Sequence, residues 1–230
     1  MERVLAIIPA FNEEQNIEKV VEGLKQQGLP MDYVVVNDGS TDRTAAICRE
    51  KGYNLLDLPV NLGLAGCFQA GMKYAYKKGF PYVVQFDGDG QHRPEFIGAM
   101  LAKMEEGYDL VIGSRFLESR KDYSPRMIGS RLITAAIRLT TGVRLTDPTS
   151  GMRMFNRELI REFALNLNYG PEPDTVSYLL KQGAKVAEIP VIIEDRAGGE
   201  SYLKPAIAAG YMVRILISIL LIQNFRKRKR

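Results

Sequence analysis

Three short, mainly apolar segments in the first half of the chain each run into a polar loop that carries carboxylates. The segments and their carboxylates are Val4–Ile8 with Glu13, Tyr33–Val36 with Asp38, and Tyr82–Phe86 with Asp87 and Asp89. Apolar runs of this length, bounded by turn residues, predict buried strands. In an open, mostly parallel sheet the carboxyl ends of the strands lie at one edge, where ligands bind. The sequence therefore predicts an α/β fold in which three loops share one site.

Segments with helical spacing of apolar residues separate these strands. We expect helices over residues 16–27, 41–51, 64–77 and 94–106, followed by a further strand over Tyr108–Ile112. Gly28 after the first helix and Pro94 at the start of the fourth fit the residue preferences of helix ends. The alternation predicts a single Rossmann-like domain, a mostly parallel sheet flanked by helices.

The segment Asp87-Gly88-Asp89-Gly90-Gln91 predicts a metal site. Mg²⁺ or Mn²⁺ binds one or two carboxylates together with water and substrate phosphates, and the glycines leave room for that substrate. Acid-and-glycine clusters also form simple turns that cap the next helix; the two companion loops favour the metal site. By the same reasoning, Asp38 suits a base or ribose donor group and Glu13 a base or ribose contact.

Composition agrees with one globular domain. The chain has 230 residues, of which 46% are hydrophobic and 25% charged, enough to bury a sizeable core. Cys48 and Cys67 are too few for a disulfide framework and lack metal-ligand spacing, so we expect both to be reduced. His92, the single histidine, either orients Gln91 or touches phosphate, or simply introduces the following helix.

Six ordered motifs resemble glycosyltransferase family 2, whose members have the GT-A fold. The motifs are Pro9-Ala10-Phe11-Asn12-Glu13, Val36-Asn37-Asp38-Gly39-Ser40, Asp87-Gly88-Asp89-Gly90-Gln91-His92, Gly113-Ser114-Arg115-Phe116, Asp147-Pro148-Thr149-Ser150-Gly151-Met152-Arg153 and Arg196-Ala197-Gly198-Gly199-Glu200-Ser201. Within the family, the chain looks most like dolichol-phosphate mannose synthase and the bacterial polyprenyl-phosphate glycosyltransferases, over roughly residues 3–204.

The resemblance implies a role for individual residues. The expected nucleotide-sugar contacts are Pro9, Phe11, Glu13, Asp38, Asp87 and Gln91, and the expected metal ligands are Asp87, Asp89 and Gln91. The expected acceptor-phosphate contacts are Arg115, Arg126, Ser130, Arg196 and Ser201. Guanidinium groups suit phosphate oxygens on chemical grounds alone. Arg131 and Arg138 either line the same groove as Arg126 or decorate an amphipathic helix.

The acceptor decides the mechanism. A phosphate monoester is already an anionic nucleophile near neutral pH, since its second pKa is about 6, whereas a sugar hydroxyl must lose its proton to a carboxylate. Asp147, Glu172 and Asp174 are the candidates for that base. We therefore count Asp89, Arg115, Asp147 and Asp174 as candidate catalytic residues. The resemblance implies inversion at the anomeric carbon.

The expected reaction is hexosyl transfer from a UDP- or GDP-sugar to a polyprenyl (dolichyl or undecaprenyl) phosphate, with Mg²⁺ or Mn²⁺ as cofactor. The alternative is transfer to a saccharide hydroxyl in polysaccharide or glycolipid assembly, for example of the cell envelope. A nucleotidyltransferase is disfavoured because no glycine-rich loop opens the chain. Nucleic-acid binding rests only on the basic tail, and we expect no nucleic-acid partner.

The last 26 residues differ from the rest, so we expect a catalytic domain over residues 1–204 and a membrane-associating segment over 205–230. Ala206–Ile222 contains one charge, Arg214, but a spanning helix needs about 20 apolar residues. Five of the 31 Lys and Arg side chains fill positions 226–230, which leaves 26 against 27 Asp and Glu elsewhere. An apolar helix before a basic tract is typical of an interfacial anchor on anionic lipid.

Two other interpretations of this segment stay open: a helix docked on the domain, or one that binds a small membrane-protein partner. Because residues 1–10 already form the first predicted strand, we expect no export signal. The expected location is the cytoplasm, peripheral on the inner face of the cell membrane.

Overall fold

A seven-stranded sheet forms the centre of the protein. The computed structural model describes residues 3–119, 124–166, 169–194 and 205–226. The strands are β1 (Val4–Ala10), β2 (Met31–Asn37), β3 (Leu55–Asp57), β4 (Tyr82–Gln85), β5 (Leu110–Ser114), β6 (Arg153–Asn156) and β7 (Val186–Pro190). They lie in the order β3-β2-β1-β4-β6-β5-β7. The predicted mostly parallel α/β sheet is confirmed.

Strand β6 is antiparallel to both of its neighbours, while the other paired strands run parallel. Its first residue, Arg153, pairs with Gln85 at the end of β4 and with Ile112 in β5. The loop that precedes β6 therefore lies at the edge where β1, β2 and β4 end. The loop after β5 lies there too, because β4 and β5 run in the same direction, so both loops join the three that the sequence predicts.

Helices cover both faces of the sheet. They are α1 (Ile17–Lys25), α2 (Thr44–Glu50), α3 (Gly63–Lys78), α4 (Ile97–Glu105), α5 (Pro125–Thr141), α6 (Arg157–Leu165), α7 (Pro173–Lys181), α8 (Pro205–Ile217) and α9 (Gln223–Phe225), with a 3₁₀ turn over Pro94–Phe96 and a π-helix over Ser218–Ile222. Because side chains alternate along a strand, Leu5 and Ile7 of β1 pack in one core with α3, α5, α6, α7 and α8. Ala6 and Ile8 pack in the other, with α1, α2 and α4.

The predicted elements agree with the structure to within three residues at their ends. The second helix begins at Thr44 and not at Thr41; in the turn before it, Oδ1 of Asp42 accepts a hydrogen bond from the Thr44 amide at 2.9 Å. Both cysteines are free and buried, in agreement with the prediction of reduced thiols.

The C-terminal helices dock on the domain. Helix α8 packs against α5, and the π-helix packs against α5 and α7. Ile215 and Ile219 are buried in the core on that face of the sheet. Among the described residues, no helix is long and apolar enough to cross a bilayer.

Arg153 is the largest fully buried side chain of the described protein, and its guanidinium binds backbone carbonyls of two loops. Nε donates to Ser150 O at 2.9 Å, Nη2 donates to Pro148 O at 2.8 Å, and Nη1 donates to Pro171 O. Burial lowers the pKa of Arg153, while the nearby charge of Glu172 opposes the shift. Arginine is not deprotonated in proteins, so the group remains charged. Arg153 thus joins the loop before β6 to the loop before α7.

Replacing Arg153 with alanine is expected to lower the free energy of unfolding by about 3 kcal/mol or more, because each buried acceptor left without a donor costs about 1–3 kcal/mol. The matched control is Arg157→Ala. Arg157 also donates to two carbonyls, Phe80 O at 3.1 Å and Tyr76 O at 3.2 Å, but it is half-buried, so water can replace it at a cost of about 1 kcal/mol. Urea unfolding measures the decrease in the free energy of unfolding for each variant. An equal decrease in the two variants would show that Arg153 has no special structural role.

Candidate active site

The loop after β4, residues 87–92, presents two carboxylates; we call it the carboxylate loop. Oδ1 of Asp87 accepts from Gln85 Nε2 at 3.0 Å, and Oδ1 of Asp89 accepts from the Gln91 amide at 3.1 Å. Both side chains are half-buried. The described residues contain no group of three or more His, Cys, Asp or Glu side chains placed to hold a metal. Two carboxylates nevertheless suit Mg²⁺ or Mn²⁺, which take further ligands from water and phosphate.

His92 lies beneath the carboxylate loop and contacts Asp87. Its Nδ1 accepts a hydrogen bond from the Asp87 amide at 3.0 Å, which places the ring proton of the neutral histidine on Nε2, 3.6 Å from Asp87 Oδ2. The buried imidazole also packs edge-on against Phe86, with ring centroids 5.6 Å apart. The sequence left the role of His92 open, and the structure places it where it orients Asp87.

Two glycines allow the neighbouring loops to approach the carboxylate loop closely. A Cβ atom at Gly151 would lie 2.7 Å from Asp87 Oδ2, and a Cβ atom at Gly88 would lie 2.8 Å from Pro9 O. Both distances are too short for any other residue without rearrangement. The loop before β6 and the end of β1 therefore pack directly against the carboxylate loop.

The loops after β1 and β2 are joined by hydrogen bonds. Asn12 has a left-handed backbone with φ of 57°, which asparagine tolerates better than most residues. Its amide donates to Ser40 Oγ at 3.0 Å, and its Oδ1 accepts from the Thr41 amide at 2.8 Å. The Glu13 amide donates to Thr44 Oγ1 at 2.8 Å. These hydrogen bonds join the two predicted nucleotide-contacting loops into one surface.

The predicted nucleotide contacts lie on or beside this surface. Asp38 is buried: its amide donates to Ala10 O, and its Oδ1 accepts from the Leu62 amide at 2.7 Å. Glu13 is also largely buried, with Oε2 accepting from Asn16 Nδ2 at 2.8 Å. Pro9 and Phe11 are half-buried at the end of β1. Gln91 turns its side-chain amide to Glu194 O, at 3.2 Å.

Arg115 and Asp147 form a bidentate ion pair beside this edge. Arg115 Nε lies 2.6 Å from Asp147 Oδ2, and Nη2 lies 2.8 Å from Oδ1. Thr149 Oγ1 donates to Asp147 Oδ1 at 2.8 Å and lies 3.4 Å from Ser130 Oγ. The structure therefore brings together three of the predicted site residues, Arg115, Asp147 and Ser130, through Thr149, which sequence reasoning had not assigned.

The Asp147 carboxylate is held in its ionised form. Burial raises its pKa, but the hydrogen bonds and positive charge of Arg115, with the hydroxyl of Thr149, outweigh burial and keep the pKa below its ordinary value. The carboxylate has no exposed surface. Glu188 fixes the backbone beside it by accepting from the amides of Thr146 and Asp147, each at 2.6 Å. This geometry favours an orienting role towards Arg115 over the general-base role considered from the sequence.

Glu172 and Asp174 stand at the start of α7, where the C-terminal helices contact them. Tyr211 donates to a carboxylate oxygen of Glu172, and Ser218 Oγ donates to Asp174 Oδ2 at 2.6 Å. Asp174 accepts hydrogen bonds from the C-terminal helices and from the Thr175 amide. Among the described residues, no hydrogen bond joins Asp174 to the Arg115–Asp147 pair. No sequence pattern indicated these partners.

Three predicted acceptor contacts cannot be placed. Arg196 and Ser201 lie outside the described residues, as does the side chain of Arg126, whose backbone is the second residue of α5. The described chain reaches Glu194 beside the carboxylate loop, where its amide donates to Gln91 O at 3.0 Å. His92 and Ile193 form an isolated antiparallel bridge there.

Comparison with known proteins identifies relatives of the whole domain. Residues 5–163 match the family model described as Glycosyl transferase family 2. The undecaprenyl-phosphate mannosyltransferase of Micrococcus luteus is 29% identical over 93% of this chain and 92% of its own. The polyprenol monophosphomannose synthase of Mycolicibacterium smegmatis is 28% identical over 87% and 80%.

A solved structure shares the fold. The glucosyl-3-phosphoglycerate synthase from Mycobacterium tuberculosis, in complex with Mn²⁺, UDP and phosphoglyceric acid, superposes with a TM-score of 0.73 at 21% identity, and the match covers 99% of this chain and 80% of that one. Another structure of the same synthase contains Mg²⁺ and UDP. At this identity the likeness shows the fold alone.

Replacing Asp147 with asparagine is expected to cost most stability at neutral pH. A carboxylate whose pKa is lower in the folded than in the unfolded chain stabilises the fold fully above its unfolded value, about 3.9, and loses that contribution as the pH falls through the folded value. Removing one partner of a buried ion pair costs about 3–5 kcal/mol. The difference in free energy of unfolding from wild type should therefore shrink below about pH 4, as measured by urea unfolding between pH 7 and pH 3.

The control is Glu105→Gln, an exposed carboxylate at the end of α4. It should differ little from wild type throughout the pH range. If Asp147→Asn lowers the free energy of unfolding by the same amount from pH 7 to pH 3, that result would contradict the assigned ion pair.

Proposed function

The chain belongs to glycosyl transferase family 2, and on that premise we propose that it moves a hexosyl group, with inversion, from a UDP- or GDP-sugar to a polyprenyl phosphate. The two relatives described above are named undecaprenyl-phosphate mannosyltransferase and polyprenol monophosphomannose synthase, and each aligns with this chain over most of its own length. The choice of acceptor rests on the ion pair and the hydrogen bonds that the carboxylates on the acceptor side make.

All three carboxylates that could serve as a general base are already engaged. Asp147 binds Arg115, Glu172 accepts from Tyr211, and Asp174 accepts from Ser218. At Asp147, the hydrogen bonds and the charge of Arg115 keep the pKa below its ordinary value and so weaken this carboxylate as a base. At Glu172 and Asp174, the hydrogen bonds turn the carboxylates towards the C-terminal helices. A sugar hydroxyl needs such a base, but a phosphate monoester does not. The arrangement therefore favours the phosphate acceptor over a saccharide hydroxyl.

Arg115 is the residue we assign to the acceptor phosphate. Its Nε and Nη2 are occupied by Asp147, whereas Nη1 makes no recorded hydrogen bond within the described residues. The side chain retains 21% of its exposure. Asp147 thus holds the planar guanidinium in one orientation and leaves part of it available for phosphate oxygens. We assign Ser130 to the same phosphate, together with Arg126, Arg196 and Ser201, on the family resemblance.

On the donor side, Asp87 and Asp89 would hold a divalent cation, with Gln91 nearby. Mg²⁺ or Mn²⁺ bound there would neutralise the charge that develops on the departing nucleoside diphosphate. His92 and Gln85 orient Asp87, and the joined loops after β1 and β2 receive the nucleotide through Asp38 and Glu13. Acceptor and donor phosphates meet between Asp87 and Arg115, because Gly151 brings the loop before β6 against Asp87.

We further propose that the chain works at the inner surface of the cell membrane, with residues 205–230 as the membrane-associating segment. Helices α5 and α8 pack together, and with the π-helix and α9 they leave large apolar side chains exposed. These are Ile128, Leu132, Leu139, Val213, Ile217, Leu220, Leu221, Ile222 and Phe225. The basic residues 226–230 follow directly. Exposed apolar side chains beside a basic tract fit an anionic lipid surface.

The test is transfer of radiolabel from a panel of UDP- and GDP-hexoses to polyprenyl phosphate held in vesicles that contain anionic lipid. Lipid-soluble label that appears with Mg²⁺ or Mn²⁺ and disappears with chelator is expected, and sedimented vesicles should carry the protein with them. Label transferred only to added oligosaccharide would replace the lipid phosphate with a saccharide acceptor. Pyrophosphate release from a nucleoside triphosphate and a sugar phosphate would instead indicate a nucleotidyltransferase.

Within that assay, Asp89→Asn is expected to lower turnover at least a hundredfold, because it removes a charged metal ligand while its amide oxygen can still accept from the Gln91 amide. Glu105→Gln, the same type of change on the exposed end of α4, should leave turnover unchanged. Circular dichroism checks that both variants are folded. A folded Asp89→Asn variant with full activity would remove Asp89 from the metal site.

A further inference from the structure

The C-terminal helices reach the acceptor side of the site through three polar side chains. Ser218 and Gln223 both donate to Asp174 Oδ2, at 2.6 Å and 3.4 Å, and Gln223 Nε2 also donates to Ser218 Oγ at 3.1 Å. Both donors are at least nine-tenths buried. Tyr211, one helix earlier, donates to Glu172. The C-terminal segment therefore makes buried, directional contacts in addition to apolar ones.

The π-helix explains how Ser218 and Gln223 act on the same carboxylate. Successive residues of an α-helix are about 100° apart, so that residues five apart point in different directions. In a π-helix the backbone bonds join residues five apart, and here the Gln223 amide donates to Ser218 O, which brings the two residues to the same side of the helix. The π-helix spans Ser218–Ile222, and Gln223 follows it directly. This rare local structure thus aligns the two side chains towards Asp174, and such turns occur often at functional sites.

A continuous set of contacts runs from Asp174 to the metal ligands. Glu172 and Asp174 belong to the segment 169–174, which comprises the loop before α7 and the first two residues of α7 and which we call the acceptor loop. Pro171 in this segment accepts from Arg153. Arg153 also binds Pro148 O and Ser150 O, in the loop that ends at Gly151. Gly151 in turn packs against Asp87. A shift of the acceptor loop would therefore change the space between the Arg115–Asp147 pair and the carboxylate loop.

We propose that Ser218, Gln223 and Tyr211 are positioning residues that hold the acceptor loop in place for the lipid phosphate, an inference that rests on the proposed function. The C-terminal segment is then part of the acceptor site as well as the membrane-associating segment.

The test compares Ser218→Ala with Ser177→Ala in the full chain. Ser177 lies on α7 and is fully buried, but its Oγ has no hydrogen-bond partner within the described residues, so the control removes the same atom without removing a bond. Loss of a hydrogen bond to a charged group should raise the KM for polyprenyl phosphate about tenfold in Ser218→Ala, with the donor KM unchanged. Ser218→Thr, which keeps the hydroxyl, should recover most of the loss. Tyr211→Phe provides a second variant, should Ser218→Ala not fold.

A role confined to stability would lower Tm in Ser218→Ala without a selective rise in the acceptor KM, and that result would overturn the proposal. Amide hydrogen exchange of residues 169–176 gives a readout that does not depend on activity. It should accelerate in Ser218→Ala and not in Ser177→Ala, and equal exchange in the two variants would also overturn the proposal. If the wild type does not label lipid but the two variants still differ in hydrogen exchange, the proposed function is rejected. The positioning of the acceptor loop by Ser218 would then still stand.

Discussion

The buried guanidinium of Arg153 binds carbonyl oxygens from two loops that no strand pairing connects. Pro148 and Ser150 belong to the loop before β6, and Pro171 belongs to the acceptor loop. A buried cation is tolerated only when its donors are satisfied, so the position of Arg153 fixes both loops at once. The loop before β6 also carries Asp147, the partner of Arg115, and Gly151, which approaches Asp87. The acceptor loop carries the carboxylates that the C-terminal helices contact.

The candidate site has two halves that differ in the contacts of their carboxylates. On the donor side, short hydrogen bonds join the loops after β1 and β2, and Asp87 and Asp89 stay accessible beside them. On the acceptor side, the carboxylates are paired with Arg115, Tyr211 and Ser218. Carboxylates with accessible surface suit a metal, whereas carboxylates bound to a cation or a hydroxyl group orient their partners. This difference is what favours an acceptor that brings its own negative charge.

The sequence predicted the strands, the helices and the shared edge because hydrophobic periodicity and turn residues are local signals. Fold class and family are confirmed, while the assigned roles of the site residues stay predictions. The position of the Asp147–Arg153 segment could not be predicted, because it precedes its strand and reaches the same edge only through the antiparallel direction of β6. Burial of Arg153, the partners of Asp174 and the placement of His92 under Asp87 likewise depend on tertiary contacts that leave no local pattern.

The metal requirement of a Gly151→Ala variant tests whether the loop held by Arg153 shapes the proposed metal site at Asp87. The added Cβ would lie 2.7 Å from Asp87 Oδ2 and displace that carboxylate, whereas Gly23→Ala on α1 meets nothing within 4 Å. We expect the Mn²⁺ concentration for half-maximal sugar transfer to rise about tenfold or more in Gly151→Ala and to stay at the wild-type value in Gly23→Ala. An unchanged Mn²⁺ requirement in a folded Gly151→Ala variant would contradict this expectation.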